Sequence, residues 1–355
     1  MNTRSNLARF FLRREWFLVL MIILVAMLNA RLSPFFLNAD NLLRTSSDFV
    51  EIGIMMLPMA FIIITGNIDL SIASILGLTA SLMGWLFMNG WNIWAAVAVA
   101  FVVALVAGLV NGTLIARMKL PALVVTLGTL SLYRGLAYVL LGDQAARGYP
   151  DSFTFLGQGT LGDSNVPFGL LVFAVLAVVF GLVLHKTTFG RYLYTIGNNE
   201  AASRYSGVKV ERIKLTIYVL SAAMAALAAF ILAARFGSTR PDIGTGLELT
   251  VITVTVLGGV SIYGGSGTII GGVLALILVG ILRFGMGLIN LQGQVQDIVI
   301  GALLILSILV PKLGGILRAA RTSERRDWRG VAIGGSVAIL FVLFFFWSRS
   351  LILAP

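Results

Sequence analysis

The sequence has no cysteine and a single histidine, His185. The first absence excludes disulfides, cysteine-ligated zinc and cysteine-ligated iron–sulfur clusters, and the second makes a multi-histidine metal site impossible. Charge is scarce as well. Only 12% of the 355 residues are Asp, Glu, Lys or Arg, against roughly 25% in an ordinary soluble domain. Catalytic templates are missing: no His-Glu-x-x-His, no Gly-x-Ser-x-Gly, and no Gly-Lys-Ser or Gly-Lys-Thr of a Walker A phosphate loop. A Ser/His/Asp arrangement would depend on His185, which lies beside Lys186 at the end of an apolar run. An enzyme is not expected, and no metal site.

What is present is apolar surface. Apolar residues make up 58% of the chain and mean hydropathy is +0.97, which excludes a soluble globule and a disordered chain. The formal charge of +11 would suggest nucleic acid in a soluble protein. Here the basic residues sit between long apolar runs, so the positive-inside rule is the better explanation, with a lipid bilayer and no nucleic acid as the partner.

The apolar runs are 16–29, 49–65, 70–88, 94–116, 122–141, 168–184, 215–234, 249–262, 269–289, 294–311 and 331–348. At about 20 residues per crossing they predict an all-α polytopic membrane protein of about 10–11 transmembrane helices. The run 16–29 follows a basic start with Arg4, Arg9, Arg13 and Arg14, as in a signal peptide. Leu28 stands before Asn29-Ala30 where cleavage wants a small residue, so the run reads as the first span, its N-terminus cytoplasmic. Placing 1–15, 66–69, 117–121, 185–214, 263–268 and 312–330 inside puts 18 of the 26 basic residues there, including every lysine. The opposite topology leaves at most eight inside, and this decides the orientation. Among the outer segments, 142–167 carries Asp143, Asp151 and Asp163 against Arg147 alone.

Two junctions are too short for ordinary loops. Gly66-Asn67-Ile68-Asp69 separates 49–65 from 70–88, and Tyr263-Gly264-Gly265-Ser266-Gly267-Thr268 separates 249–262 from 269–289. Such breaks mark broken or re-entrant segments, tolerated at membrane depth only against protein or a water-lined cavity. The faint similarity of 59–80 to 252–275 agrees with an internal repeat.

A few polar residues are hard to explain as packing. Asp69 either caps the helix from residue 70 onward or lines a transport pathway, and the two roles are compatible. Asn111 lies on a span with Gly108 and Gly112, a small-residue stripe suited to helix packing with one interhelical amide bond. Thr126, Thr129 and Arg134 follow Pro121 in the next span. A membrane arginine seeks a carbonyl or carboxylate, as a tether or as a ligand contact. Glu248 and Asp297 suit helix starts.

At this point the motifs resemble a known family. Gly66-Asn67-Ile68-Asp69-Leu70-Ser71-Ile72-Ala73-Ser74, then Leu120-Pro121 through Leu130 with Tyr133-Arg134-Gly135, are similar to segments of bacterial ribose-type ABC importer permeases. So are Gly197-Asn198-Asn199-Glu200-Ala201-Ala202 with Ser206-Gly207, and Glu248-Leu249 with Leu257-Gly258-Gly259 and Gly264-Gly265-Ser266-Gly267-Thr268. The matches run in order over roughly 45–311. Ser46-Ser47-Asp48-Phe49, Leu184-His185-Lys186-Thr187 and Phe236-Gly237-Ser238 resemble the autoinducer-2 subgroup, and permeases for rhamnose-like sugars share much of the pattern. Asn67 and Ala73 replace usual glycines, the segment after Glu248 is richer in threonine, and 331–348 goes beyond the family's usual end.

The resemblance implies a type II ABC importer-like permease domain over 1–330, with 331–355 as an extra apolar segment. It implies ATP and magnesium bound in partner ATPase subunits, no cofactor in this chain, a second permease, identical or paralogous, and a periplasmic or extracellular sugar-binding protein. It places the protein in the bacterial inner membrane. The implied pathway residues are Asn67, Asp69, Ser71, Asn111, Thr126, Thr129, Arg134 and Glu248. The implied ATPase-coupling residues are Gly197, Asn198, Asn199, Glu200, Ala201, Ala202, Ser203 and Arg204, on a helix from about Asn199 to Tyr205 with Asn198 or Asn199 as cap and Gly207 as stop. The expected solute is a ribose- or rhamnose-like monosaccharide, with autoinducer 2 as the alternative. A secondary transporter or facilitator without ATP, and a non-transporting scaffold, are the readings from other classes.

Overall fold

A computed structural model describes residues 14–162, 165–303 and 305. The chain divides into two units, 1–291 and 292–355. In the second, 293–303 are helical. The run 294–311 reaches past the described residues, and 331–348 lies outside them.

The first unit is almost wholly helical: α1 (Arg14–Leu32), α2 (Ala39–Ser46), a 3-10 turn (Ser47–Phe49), α3 (Val50–Ile64), α4 (Ile72–Met88), α5 (Ile93–Ala116) and α6 (Ala122–Leu141). There follow β1 (Ala146–Arg147), α7 (Asp151–Gln158), α8 (Phe168–Lys186), α9 (Thr188–Asn198), α10 (Glu200–Tyr205), α11 (Val210–Phe236), β2 (Ser238–Thr239), α12 (Leu247–Leu257) and α13 (Ile269–Leu288). Local chemistry sets many starts. Pro121, Pro150 and Pro167 precede α6, α7 and α8 with φ near −60°, the value their rings impose. Asn38, Asn92, Thr187, Asn199 and Thr268 cap α2, α5, α9, α10 and α13 through their side chains.

Among the described residues, seven helical stretches are long and apolar enough to cross a membrane, and α4 and α12 are shorter apolar helices. The protein is therefore an all-α polytopic membrane protein. Two boundaries differ from the sequence expectation. The run 215–234 belongs to a helix that starts at Val210, where the Lys209 carbonyl already accepts the Ile213 amide at 3.2 Å and Lys214 is buried. The run 249–262 is helical only to Leu257. Gly258 lies so close to Gly271 and Gly272 that a Cβ there would come within 2.5 Å of backbone, and Gly259 at φ +90° turns the chain away.

The core consists of α3, buried along its whole length, most of α4, and α11. Gly108 and Gly112 of α5 let that helix approach α11, where added Cβ atoms would meet Tyr218, Ala222 and Leu215 at 2.6–3.4 Å. That is the packing role expected of the stripe. Against this core α1, α6 and α8 turn broad apolar faces outward, with Phe17, Val124, Val139 and Val178 among the exposed side chains. Such faces are stable only in lipid or against another membrane chain.

The helices define two ends. At one, β1 pairs antiparallel with β2, and Gly84 of α4 lies against Ala146 and Tyr149. At the other lie the break 66–69, the break 263–268 and the C-terminus of α9.

Candidate functional site: a buried polar network and an amphipathic loop

The first break is organised by Asp69, which is buried. Its Oδ1 accepts the Ser71 amide at 2.9 Å and the Ser71 hydroxyl at 2.6 Å, and its Oδ2 accepts the Ser221 hydroxyl of α11 at 2.9 Å. The network continues outward. Asn111 Nδ2 donates to Ser71 Oγ at 2.8 Å, and the Tyr133 hydroxyl lies within hydrogen-bond reach of both Asn111 Oδ1, at 3.2 Å, and the Ala107 carbonyl, at 3.1 Å. The Ser71 and Ser221 donors point at the carboxylate and Asn111 supports Ser71 from behind, so a charge that is costly at this depth is solvated by protein dipoles. The α4 helix starts at Ile72 with Ser71 as cap residue and no side-chain cap bond. Asp69 therefore stands two residues ahead of the cap and holds the turn that leads into the helix.

The other residues singled out by sequence fall around this centre. Thr126 Oγ1 lies 3.4 Å from the Ile68 carbonyl and 2.9 Å from that of Ala122. Asn67, half-buried, folds back onto Thr65. Thr129 is buried and bonds to Val125 of its own helix. Arg134 is a tether: Nη1 donates to the carbonyls of Pro241 and Ile243 at 2.8 and 2.9 Å, and Nη2 to that of Ala73 at 3.1 Å. It thereby holds the turns 241–246 that lead into α12 against the first turn of α4. Glu248 lies half-buried in the first turn of α12, where a carboxylate suits the helix dipole. Asp297 falls in the second unit, within helical 293–303.

Sequence reasoning missed Ser221 and Tyr133 as members of the network. It also missed the ion pairs of Arg235 with buried Glu51, at 3.0 Å, and with Asp48 at the strand end.

The loop between α8 and α11 has the expected helix. Asn199 Oδ1 accepts the Ala202 amide at 2.9 Å, and Gly207 follows the helix at φ +83°. Glu200 pairs with Arg204 one turn on at 3.1 Å and with Lys214 of α11 at 2.6 Å, and Arg204 pairs with Glu211. Partial burial works against ionisation of Glu200. The hydrogen bonds and charges of Lys214 and Arg204 outweigh it and hold the carboxyl below the ordinary glutamate value. Ser203 faces inward, while Ala201, Ala202 and Arg204 are exposed. Tyr205 is 93% exposed. An aromatic ring held that far into solvent beside two alanines suits a protein contact.

Gly197 and Asn198 differ from their neighbours in the motif. They lie against the breaks, with a Cβ on Gly197 falling 1.8 Å from the Ile64 carbonyl oxygen and the Asn198 side chain lying on Gly265.

Comparison with known proteins gives a family and full-length relatives. Residues 41–308 match the family described as branched-chain amino acid transport system / permease component. A protein of Klebsiella pneumoniae subsp. pneumoniae called autoinducer 2 import system permease protein LsrD is 39% identical over 326 residues, 90% of this chain and 96% of the relative. Proteins of the same name from Enterobacter sp. and Yersinia pseudotuberculosis are 39% and 38% identical, covering 83% and 82% of this chain and 91% and 88% of their own lengths. No solved structure matches.

Proposed function

The chain belongs to the branched-chain amino acid transport system permease family, and from that membership we propose that it is the membrane-spanning subunit of an ABC importer for autoinducer 2. The observation that carries the solute is the similarity to an autoinducer 2 import permease along 96% of that relative's length. The monosaccharide reading reached from sequence is supported less well, because the relatives compared are import permeases for autoinducer 2.

On this reading the break end faces the bacterial cytoplasm. The count of basic residues supports that side: Lys186, Arg191, Arg204, Lys209, Arg212 and Lys214 lie in or beside the loop, against Arg147, Arg235 and Arg240 at the strand end, where Arg235 is paired with Asp48 and Glu51. The partners are ATPase subunits that bind ATP and magnesium, a second permease, and a binding protein that meets the strand end. ATP hydrolysis in the partners moves α10, and the helices around the breaks alternate between two openings. Asp69, Ser71 and Asn111 fix the shape of the first break, with Thr126 and Thr129 beside it. Asn67, Arg134 and Glu248, only half-buried, are the candidates to meet a small neutral hydrogen-bonding solute.

The test is uptake of autoinducer 2 into proteoliposomes holding the whole complex, with ribose and rhamnose as competitors. ATP-dependent accumulation that neither sugar suppresses is expected. Uptake of ribose in preference restores the monosaccharide reading, and uptake without the ATPase subunits favours a facilitator.

A further inference from the structure

Three segments far apart in sequence meet backbone to backbone at the break end. The Gly265 amide donates to the Ile64 carbonyl at 2.9 Å, joining the second break to the end of α3. Gly197 lies on that hydrogen bond: a Cβ there would stand 1.8 Å from Ile64 O and 2.5 Å from Gly265 N. Gly264 in turn faces the Gly197 carbonyl and the Gly66 amide, at 2.9 and 3.0 Å from its missing Cβ. The Tyr194 hydroxyl donates to the Gly267 carbonyl at 2.7 Å. Gly264 and Gly265 adopt φ +83° and +74°, a region glycine enters freely.

We propose that this knot is the joint through which displacement of α10 reaches both breaks at once, with Gly197 and Tyr194 as its positioning residues. The inference rests on the transport reading above and names where that transport is coupled. Backbone packed on backbone has no side-chain rotamer with which to absorb a shift, so movement of α9 is passed on. The alternative route from α10 runs through the Glu200, Arg204, Glu211 and Lys214 ion pairs to α11. Half-exposed ion pairs are weak couplers. The knot, by contrast, grips the end of α3, the turn held by Asp69, and the approach to α13.

The experiment measures autoinducer 2 moved per phosphate released by the reconstituted complex, together with co-purification of the ATPase subunit. Tyr194→Phe keeps the ring and deletes one hydrogen bond. It should retain the ATPase subunit and lower the ratio about threefold to tenfold, the scale of one such bond. Gly197→Ala should lower it further. Gly181→Ala, whose Cβ enters open space, should leave it unchanged. A Tyr194→Phe complex with the wild-type ratio, or one that loses its ATPase subunit, overturns the joint even if Gly197→Ala fails to assemble. Absence of ATP-driven uptake in the wild-type complex overturns the transport reading, and the joint with it.

Discussion

Asp69 and Ser221, 152 residues apart, are joined by a 2.9 Å hydrogen bond that fastens the first break to α11. The carboxylate takes two further bonds from Ser71. Asp69→Asn keeps an acceptor for the Ser71 amide and gives up charge-assisted bonding, a loss of roughly 1–2 kcal/mol. It should assemble but transport poorly. Asp69→Leu strands the Ser71 amide and the Ser221 hydroxyl in a buried site at about 1–3 kcal/mol each, so yield and thermal stability in detergent should fall. Wild-type uptake by Asp69→Leu would show that the network matters to neither folding nor function.

Arg134 makes a second prediction. Its guanidinium fills the space beside Gly77, where a Cβ would stand 2.4 Å from Nη1. Gly77→Ala should displace the tether and destabilise by about 1–3 kcal/mol, as overpacking does. Arg134→Lys cannot reach three carbonyls with one ammonium in the same fan and should fall in the same direction. Thermal unfolding of the purified complex measures both. Unchanged midpoints would mean that the turn segment 240–246 is held by something other than Arg134.

How much of this was legible in the sequence depends on distance along the chain. The α10 helix was, because its cap, its i,i+4 pair and its glycine stop lie within ten residues and act locally. Asp69 stood out because a carboxylate between apolar runs is costly wherever it ends up. Its partners did not. Ser221 sits in a small-residue stretch of α11 like any other, and Arg235 finds Glu51 across 184 positions. Gly197 was grouped with the loop motif because sequence shows a glycine and not what presses on it. The substrate was least legible of all: the motifs resemble those of sugar and of autoinducer permeases alike, and only the similarity along most of the chain to relatives called autoinducer 2 import permeases favours one solute over the other.

Sidedness is open to a direct test, since the chain has no native cysteine. Asp143→Cys, exposed beyond α6, should react with a membrane-impermeant thiol reagent in intact cells, and Lys209→Cys only after lysis. Asp143 is preferred over Gly148, whose φ of +78° would strain any side chain. Reversed labelling would put α10 on the wrong side for an ATPase partner.

The staple on α10 should depend on pH. Glu200 is held below its ordinary value, so its contribution is complete above the unfolded carboxylate value of about 4.3 and is lost as pH falls through the lower folded value. The protection of the amides over residues 200–207, taken as the exchange rate of the unstructured chain at the same pH divided by the observed rate, should be highest at neutral pH and fall several-fold in acid, and in Glu200→Gln it should be low throughout. The effect is small, under about 1 kcal/mol per pair, because the carboxylate is partly exposed. Protection in the wild type that does not change between neutral pH and acid would show that Asn199 and Gly207 hold α10 without the ion pairs.

The outer face of α10 carries the last prediction. Ala201, Ala202 and Tyr205 point away from the membrane core, while Ser203 alone on this turn faces inward. Two alanines beside an exposed ring form a surface that a groove on an ATPase subunit can receive, with Tyr205 as anchor and the alanines permitting close approach. Ala202→Trp adds bulk only where solvent now lies, so expression, insertion and thermal stability of the permease alone should be unchanged. In the complex the indole should block seating, and the ATPase subunit should fail to co-purify or hydrolyse ATP without driving uptake. Tyr205→Ala should weaken association by about 2 kcal/mol or more if the ring is an anchor. The two effects separate this surface from the joint behind it: changes on α10 remove the ATPase partner, whereas Tyr194→Phe keeps the partner and loses the coupling. If Ala202→Trp binds its partner and transports at the normal rate, α10 is not the element that meets the ATPase, and the docking surface must be sought elsewhere on the basic loop.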